Sequence, residues 1–148
     1  MRGIEDDLFE FYTNYNSRKG QQLAANPNAA LTFFWRELER QVIVEGRITK
    51  VDKARSQEYF ESRPRESQLG AWASDQSQVV AGRSVLDNRF AEFEQKFIGQ
   101  DVPRPEHWGG YVLQPHFIEF WQGRLSRLHD RVAFTAEGDQ WKIQRLAP

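Results

Sequence analysis

The order of its segments predicts that this chain adopts an α+β, mainly β fold: an antiparallel sheet or barrel with helices inserted at one place. Three observations carry that reading. β-rich runs occupy 8–13, 29–35 and 39–51, and helical patterns fill the middle of the chain. β-rich runs then return from Tyr111 to the end. Turn residues punctuate both halves, as at Asn14-Tyr15-Asn16 and Glu137-Gly138-Asp139. At 148 residues the chain fits one domain, 1–148, and it shows no internal repeat.

Each element has its own signal. LFEFYT alternates as a strand, and Ser17 is placed to cap a short helix, SRKGQQLAAN, that closes at Asn26-Pro27-Asn28. AALTFFW (29–35) has the continuous apolar character of a buried strand. Arg36–Leu38 fits a hairpin connection into a long strand over 39–51, bent near Gly46. Asp52 caps a helix that Pro64 ends, and a second helical piece covers 65–77. A third spans 87–98, with Phe90, Phe93 and Phe97 at helical spacing. After a loop over 99–110 come strands at 111–114, 118–122, 127–135 and 141–146. The first strand starts so early that a barrel built from these pieces is short of strands at its N-terminal edge, and a bare edge invites pairing.

Composition excludes several classes. Net charge is −1, which argues against a general nucleic-acid binder. There is no cysteine, so disulfides, thiol chemistry and thiolate metal sites are excluded. That usage suits a reducing compartment, and a cytoplasmic location is expected. No apolar run is long enough to cross a bilayer as a helix. The histidines, His107, His116 and His129, lack short metal-ligand spacing, so no metal site is expected. Neither a dinucleotide fingerprint nor a phosphate-loop motif is present.

The densest chemistry lies in Trp121–Arg131, WQGRLSRLHDR. Read as a strand from Leu125 onward, it puts Arg127, His129 and Arg131 on one face. Three potential cations so placed repel one another unless an anion sits among them. A solvated basic edge and a phosphate or carboxylate site are both open readings. Elsewhere Ser17-Arg18-Lys19 marks a helix N-terminus suited to phosphate, fed by Tyr12 and Thr13. Tyr59 and Arg63 share a helix face, with Ser67 one turn beyond Pro64. Gln76-Ser77 lies in a polar stretch, and Gln41 in an apolar strand where it needs hydrogen-bond partners. On spacing alone, ordinary capped helices and solvated charges explain these features as well as a ligand does.

Longer motifs narrow the choice. FYTNYNSRKGQQL, LERQV, YFESRPRESQLGAWAS, WGGY, IEFWQG, RLHDR and RLAP occur in one order from about Phe9 to Pro148. Together they resemble the FMN-dependent pyridoxamine 5′-phosphate oxidases. The resemblance implies an FMN-binding split β-barrel working as a homodimer, with a C-terminal dimerisation region over about 108–148 and a cleft built by both subunits. It implies oxidation of pyridoxamine or pyridoxine 5′-phosphate to pyridoxal 5′-phosphate, with O2 as acceptor and H2O2 as product. The expected alternative is a split-barrel protein that binds FMN or pyridoxal phosphate without turnover.

Carried over by position, the resemblance assigns Tyr12, Thr13, Arg18, Lys19, Gln41, Gln76, Ser77, Trp121 and Arg131 to FMN. It assigns Tyr59, Arg63 and Ser67 to the substrate phosphate. Arg127 and His129 fall over the substrate ring as substrate-binding and catalytic residues, with Arg127 steadying developing negative charge. It also implies an N-terminally truncated chain. Family members carry further residues before the FYTN motif, including an R-x-V-L-L-K strand whose arginine and lysine help bind phosphate. Arg2 is expected in the lysine's place, and the arginine has no counterpart. A charged hydrogen bond is worth about 1.5–3 kcal/mol, so its loss is expected to weaken FMN binding by about one to two orders of magnitude.

Overall fold

A computed structural model describes residues 3–5 and 8–148, with the backbone alone at 3–5. Its architecture is the expected one: an antiparallel sheet with helices inserted in the middle of the chain. In chain order the elements are β1 (Gly3–Glu5), β2 (Leu8–Asn14), α1 (Arg18–Ala25), β3 (Asn28–Trp35), β4 (Arg40–Lys50), α2 (Lys53–Glu61), α3 (Arg65–Ala73), α4 (Arg83–Lys96), β5 (Trp108–Gln122), β6 (Asp130–Glu137) and β7 (Gln140–Arg145). Short 3-10 turns sit at Arg36–Leu38 and Leu125–Arg127. The expected caps form: Ser17 Oγ accepts from the Gly20 N–H and Asp52 Oδ1 from the Arg55 N–H.

The 15-residue strand β5 holds the sheet together. One of its edges pairs with β4 along nearly its whole length. The opposite edge is shared, with β2 on the first half and β6 on the second. The path β1-β2-β5-β4-β3 and the branch β5-β6-β7 both follow from that division. The sequence suggested two strands here, broken around Pro115, but the ladder runs straight through. Proline lacks an N–H, and Pro115 falls opposite Gly46, where the β4 register shifts between Glu45 and Gly46. A Cβ at Gly46 would lie 2.2 Å from the Gln114 carbonyl oxygen, so the close approach at this bulge requires glycine.

Two apolar clusters flank the sheet. Phe9, Val44, Ile48, Tyr111 and Leu113 form one, backed by α1 and β3 through Leu23 and Phe33. Phe60, Leu69, Phe97, Val102 and Trp108 form the other, beneath α2, α3 and α4. Trp108 opens β5, so the second cluster sits at the end of the strand where β2 also ends.

Several expectations shift. β1 was not foreseen. The helix expected over 65–77 stops at Ala73, leaving Gln76 and Ser77 in a loop. The third helix starts at Arg83 rather than Asp87. The main correction concerns 125–131. Leu125–Arg127 is a turn, Ser126 and Arg127 have left-handed φ values of 57° and 61°, and β6 begins only at Asp130. Arg127, His129 and Arg131 therefore do not share a strand face. Alternation suggested a strand, but the charge pattern favours a turn: Asp130 takes Arg124 Nε at 2.7 Å and Arg145 Nη1 at 2.5 Å, pinning the loop to β7.

Two outcomes test this description. Leu113 is fully buried, and Leu113→Ala is expected to cost about 2–5 kcal/mol in denaturant unfolding; a loss below about 1 kcal/mol would contradict the core assignment. Hydrogen bonds from Arg124, then Arg145, hold the Asp130 carboxyl below the usual aspartate range. The stabilisation is thus present above the unfolded value near about 3.9 and is lost as pH falls through the lower folded value. Asp130→Asn should reduce hydrogen-exchange protection of the Leu128 N–H, which bonds the Leu125 carbonyl. The gap between wild type and variant should stay constant from about pH 8 to 5 and close only in stronger acid.

Candidate active site

The site residues fall into two groups at opposite ends of β5. The first gathers where β2, α1, α2 and the 74–82 loop meet Trp108. Tyr12 lies with its ring 5.3 Å from Trp108, stacked, and 4.1 Å from Tyr59. Two glycines after Trp108 make room for this: a Cβ at Gly110 would come within 2.8 Å of the Tyr12 ring, and one at Gly109 within 2.1 Å of the Tyr15 hydroxyl. Tyr12 donates its hydroxyl to the buried Glu10 carboxylate, which also pairs with Arg55 at 2.6 Å.

Thr13 is buried and reaches across 63 residues of sequence: its hydroxyl donates to Gln76 Oε1 at 2.9 Å. The Asn14 backbone N–H donates to the same oxygen at 3.2 Å. A backbone N–H can only donate, so the Gln76 carboxamide has its oxygen on β2 and its NH2 turned outward as a donor. Ser77 beside it holds φ 73°. Arg18 and Lys19 open α1 and are exposed. Lys19 Nζ sits 5.8 Å from the Phe11 ring centre, and Lys19 and Tyr12 both line an open cleft of about 850 Å³ between β2, α1 and β3.

Arg63 lies just past the end of α2, with its guanidinium 4.6 Å over the Trp108 ring. Its Nη1 is buried with no hydrogen-bond partner among the described residues. Burial lowers the Arg63 pKa from its ordinary value, and the neighbouring Tyr59 partly offsets this. A buried guanidinium nitrogen that lacks an acceptor is costly unless an anion meets it. Ser67 is half-buried at the start of α3, where its N–H closes the first turn on the Pro64 carbonyl. The structure thus gathers Tyr12, Tyr59 and Arg63 around Trp108, and joins Thr13 to Gln76 at the end of the same strand.

The second group is set by register. Gln41 on β4 pairs with Trp121 on β5, which pairs with Arg131 on β6, so the three form one row across the sheet. The Trp121 ring lies 4.7 Å from His129. His129 Nδ1 accepts from the Arg124 N–H at 3.1 Å, which leaves Nε2 as the protonated nitrogen of a neutral ring. Arg127 is exposed on the left-handed turn. Arg131 is held by Glu119 through two 2.8 Å bonds. The anions that meet Arg131, Arg124 and Arg145 are therefore the chain's own Glu119 and Asp130. Within one chain the rows at Gly110 and Trp121 are separated by roughly 36 Å of strand, so one copy does not close the two groups around one small ligand. Trp108, Glu119 and the Glu10–Arg55 pair were missed from the sequence. The WGGY motif held the signal for Trp108, since paired glycines beside an indole mark close approach by other rings. Arg2 lies outside the described residues.

The donor set fits FMN and a phosphate ester. Arg63 presents an unmet buried donor for an anion, Gln76 an outward NH2 for a carbonyl-type acceptor, and Trp121 an aromatic face. Comparison with known proteins agrees. Residues 1–97 match the family model for pyridoxamine 5′-phosphate oxidase, and 108–148 match that for the pyridoxine 5′-phosphate oxidase C-terminal dimerisation region. The pyridoxine/pyridoxamine 5′-phosphate oxidase of Acaryochloris marina is 57% identical over 148 residues, covering all of this chain and 68% of that protein. The protein of that name from Cupriavidus metallidurans is 57% identical over 149 residues, covering 70% of it. A crystal structure of PhzG from Burkholderia lata, in complex with tetrahydrophenazine-1-carboxylic acid, superposes with TM-score 0.89 and 31% identity over 99% of this chain and 71% of that one. A pyridoxamine 5′-phosphate oxidase-related, FMN-binding protein of Nostoc punctiforme shares the fold at TM-score 0.74 and 13% identity, over 99% of this chain and 77% of that one. Two family models and near relatives along its whole length show that the chain belongs to the pyridoxamine 5′-phosphate oxidase family.

Proposed function

We propose that this single domain, as a homodimer, oxidises pyridoxamine or pyridoxine 5′-phosphate to pyridoxal 5′-phosphate using FMN, with O2 as acceptor and H2O2 as product. The observation that carries the reading is the buried Arg63 Nη1, without an acceptor among the described residues, beside Tyr59 and Trp108, a place for a phosphate among aromatic rings. FMN supplies the hydride acceptance and the reaction with dioxygen. The protein supplies placement and electrostatics.

In this reading Arg63, Tyr59 and Ser67 grip the substrate phosphate. Thr13, Arg18, Lys19, Gln76 and Ser77 of one protomer hold FMN from one side. Gln41, Trp121 and Arg131 of the partner subunit approach from the other. Arg127 and His129 cover the substrate ring, where the neutral His129 offers Nε2–H as a donor and Arg127 steadies negative charge. Dimerisation is supported by the match of 108–148 to a dimerisation region and by apolar side chains left bare there, including Leu125, Leu128 and Ile143. It also explains how two groups far apart on β5 act at one ligand.

Protein mixed with FMN and then desalted is expected to keep flavin absorbance and to release peroxide with pyridoxine 5′-phosphate. Colourless protein that stays inactive in excess FMN would overturn the reading, and retained flavin without peroxide would select the non-catalytic binder. Arg63→Met should raise KM for the phosphate ester by about ten- to a hundredfold, the loss of one charged hydrogen bond, while FMN affinity stays within about twofold. An unchanged KM would remove Arg63 from the phosphate site.

A further inference from the structure

We propose that Glu119 is a positioning residue: it fixes the Arg131 guanidinium in the place from which that arginine meets the flavin, and the carbonyl of Ala147 completes the clamp. This rests on the reading above that Arg131 faces FMN.

The geometry comes from the pairing of β5 with β6. Glu119 lies two residues from Trp121 on β5, and its partner Ala133 lies two residues from Arg131 on β6. Glu119 and Arg131 are thus diagonal neighbours on the face that carries Trp121. Glu119 is buried, with 6% of its surface exposed, and both of its oxygens are taken: Oε1 by Arg131 Nε and Oε2 by Nη2, each at 2.8 Å. The third nitrogen, Nη1, donates to the Ala147 carbonyl at 3.0 Å. The tail is held in turn, because the Leu146 N–H donates to the Arg131 carbonyl at 2.9 Å.

Two consequences follow. All three guanidinium nitrogens are engaged, so the side chain cannot swing, and the N–H groups that remain on Nη1 and Nη2 point from fixed positions. The positive charge is already matched by a carboxylate inside the protein. Arg131 therefore serves an uncharged acceptor at the edge of a ring better than it serves a phosphate, which would compete with Glu119. A bidentate pair with one shielded member holds its geometry where a lone surface arginine would not. The phosphate-binding work is left to Arg63 and to the start of α1, at the other end of β5.

The test is a double-mutant cycle on FMN affinity, read by quenching of flavin fluorescence, with melting of the FMN-free protein as the fold control. Glu119→Gln and Arg131→Lys should each weaken FMN binding by about tenfold. The double variant should be no worse than the weaker single, and Glu119→Asp should recover part of the loss. Wild-type affinity in a folded Glu119→Gln protein, or losses that simply add in the double variant, would overturn the proposal and leave the pair structural. Should Glu119→Gln fail to fold, Glu119→Asp replaces it. That variant keeps the charge but shortens its reach to Nε and Nη2, and it should bind FMN about threefold more weakly; unchanged affinity there would also overturn the proposal. Failure of the wild-type protein to hold FMN would instead remove the functional reading beneath it.

Discussion

The edge of β5 opposite β4 is divided between two strands, and the rest of the molecule depends on that division. β2 takes the first half, brings Tyr12 onto Trp108 and hands Thr13 to Gln76. β6 takes the second half and brings Arg131 beside Trp121. Because β4 spans both halves, its pairing with β5, shifted once between Glu45 and Gly46, sets both groups of candidate residues relative to each other. A slip by one residue would turn Gln41 and Trp121 to the wrong face while moving Val44 and Leu113 out of the core. The bulge at Gly46 opposite Pro115 prevents that slip, since only this rung tolerates both the missing N–H and the missing side chain.

The two groups treat charge in opposite ways. Around Trp121 three arginines meet carboxylates of the chain itself: Arg131 meets Glu119, and Arg124 and Arg145 share Asp130, while Arg127 is exposed. Around Trp108, Arg63 carries a buried nitrogen with no acceptor among the described residues. At one end of β5 the arginine beside Trp121 is already paired within the chain, which suits a neutral, planar surface. The other is poised for an anion. On the proposed function, a flavin mononucleotide and a phosphorylated pyridine would each bring an anion and a planar ring to such a site.

Much of the fold could be read from local chemistry. Ser17 and Asp52 announced the starts of α1 and α2, and Gly138-Asp139 announced the final hairpin. The long motifs named the candidate residues, but spacing could not show their contacts, which are distant in sequence: Thr13 meets Gln76 and Arg63 meets Trp108. The turn at Ser126–Arg127 was hidden for a different reason. Non-glycine residues rarely adopt left-handed φ, and alternating apolar and charged residues look like a strand. What decides the matter is Asp130, whose two arginine partners come from either side of it in the chain. Glu119 escaped notice because a single glutamate in an apolar strand gives no hint of its partner on the next strand.

The shared edge of β5 also bears on how the chain is made. β2 is complete by Asn14, yet its long partner begins only at Trp108, so a ribosome must synthesise every helix before that ladder can close. Until then the early strands carry apolar faces and open hydrogen-bonding edges, the condition in which nascent chains stick to one another. A protein built this way is expected to depend on holding chaperones during translation, and to gain its final shape late and nearly all at once.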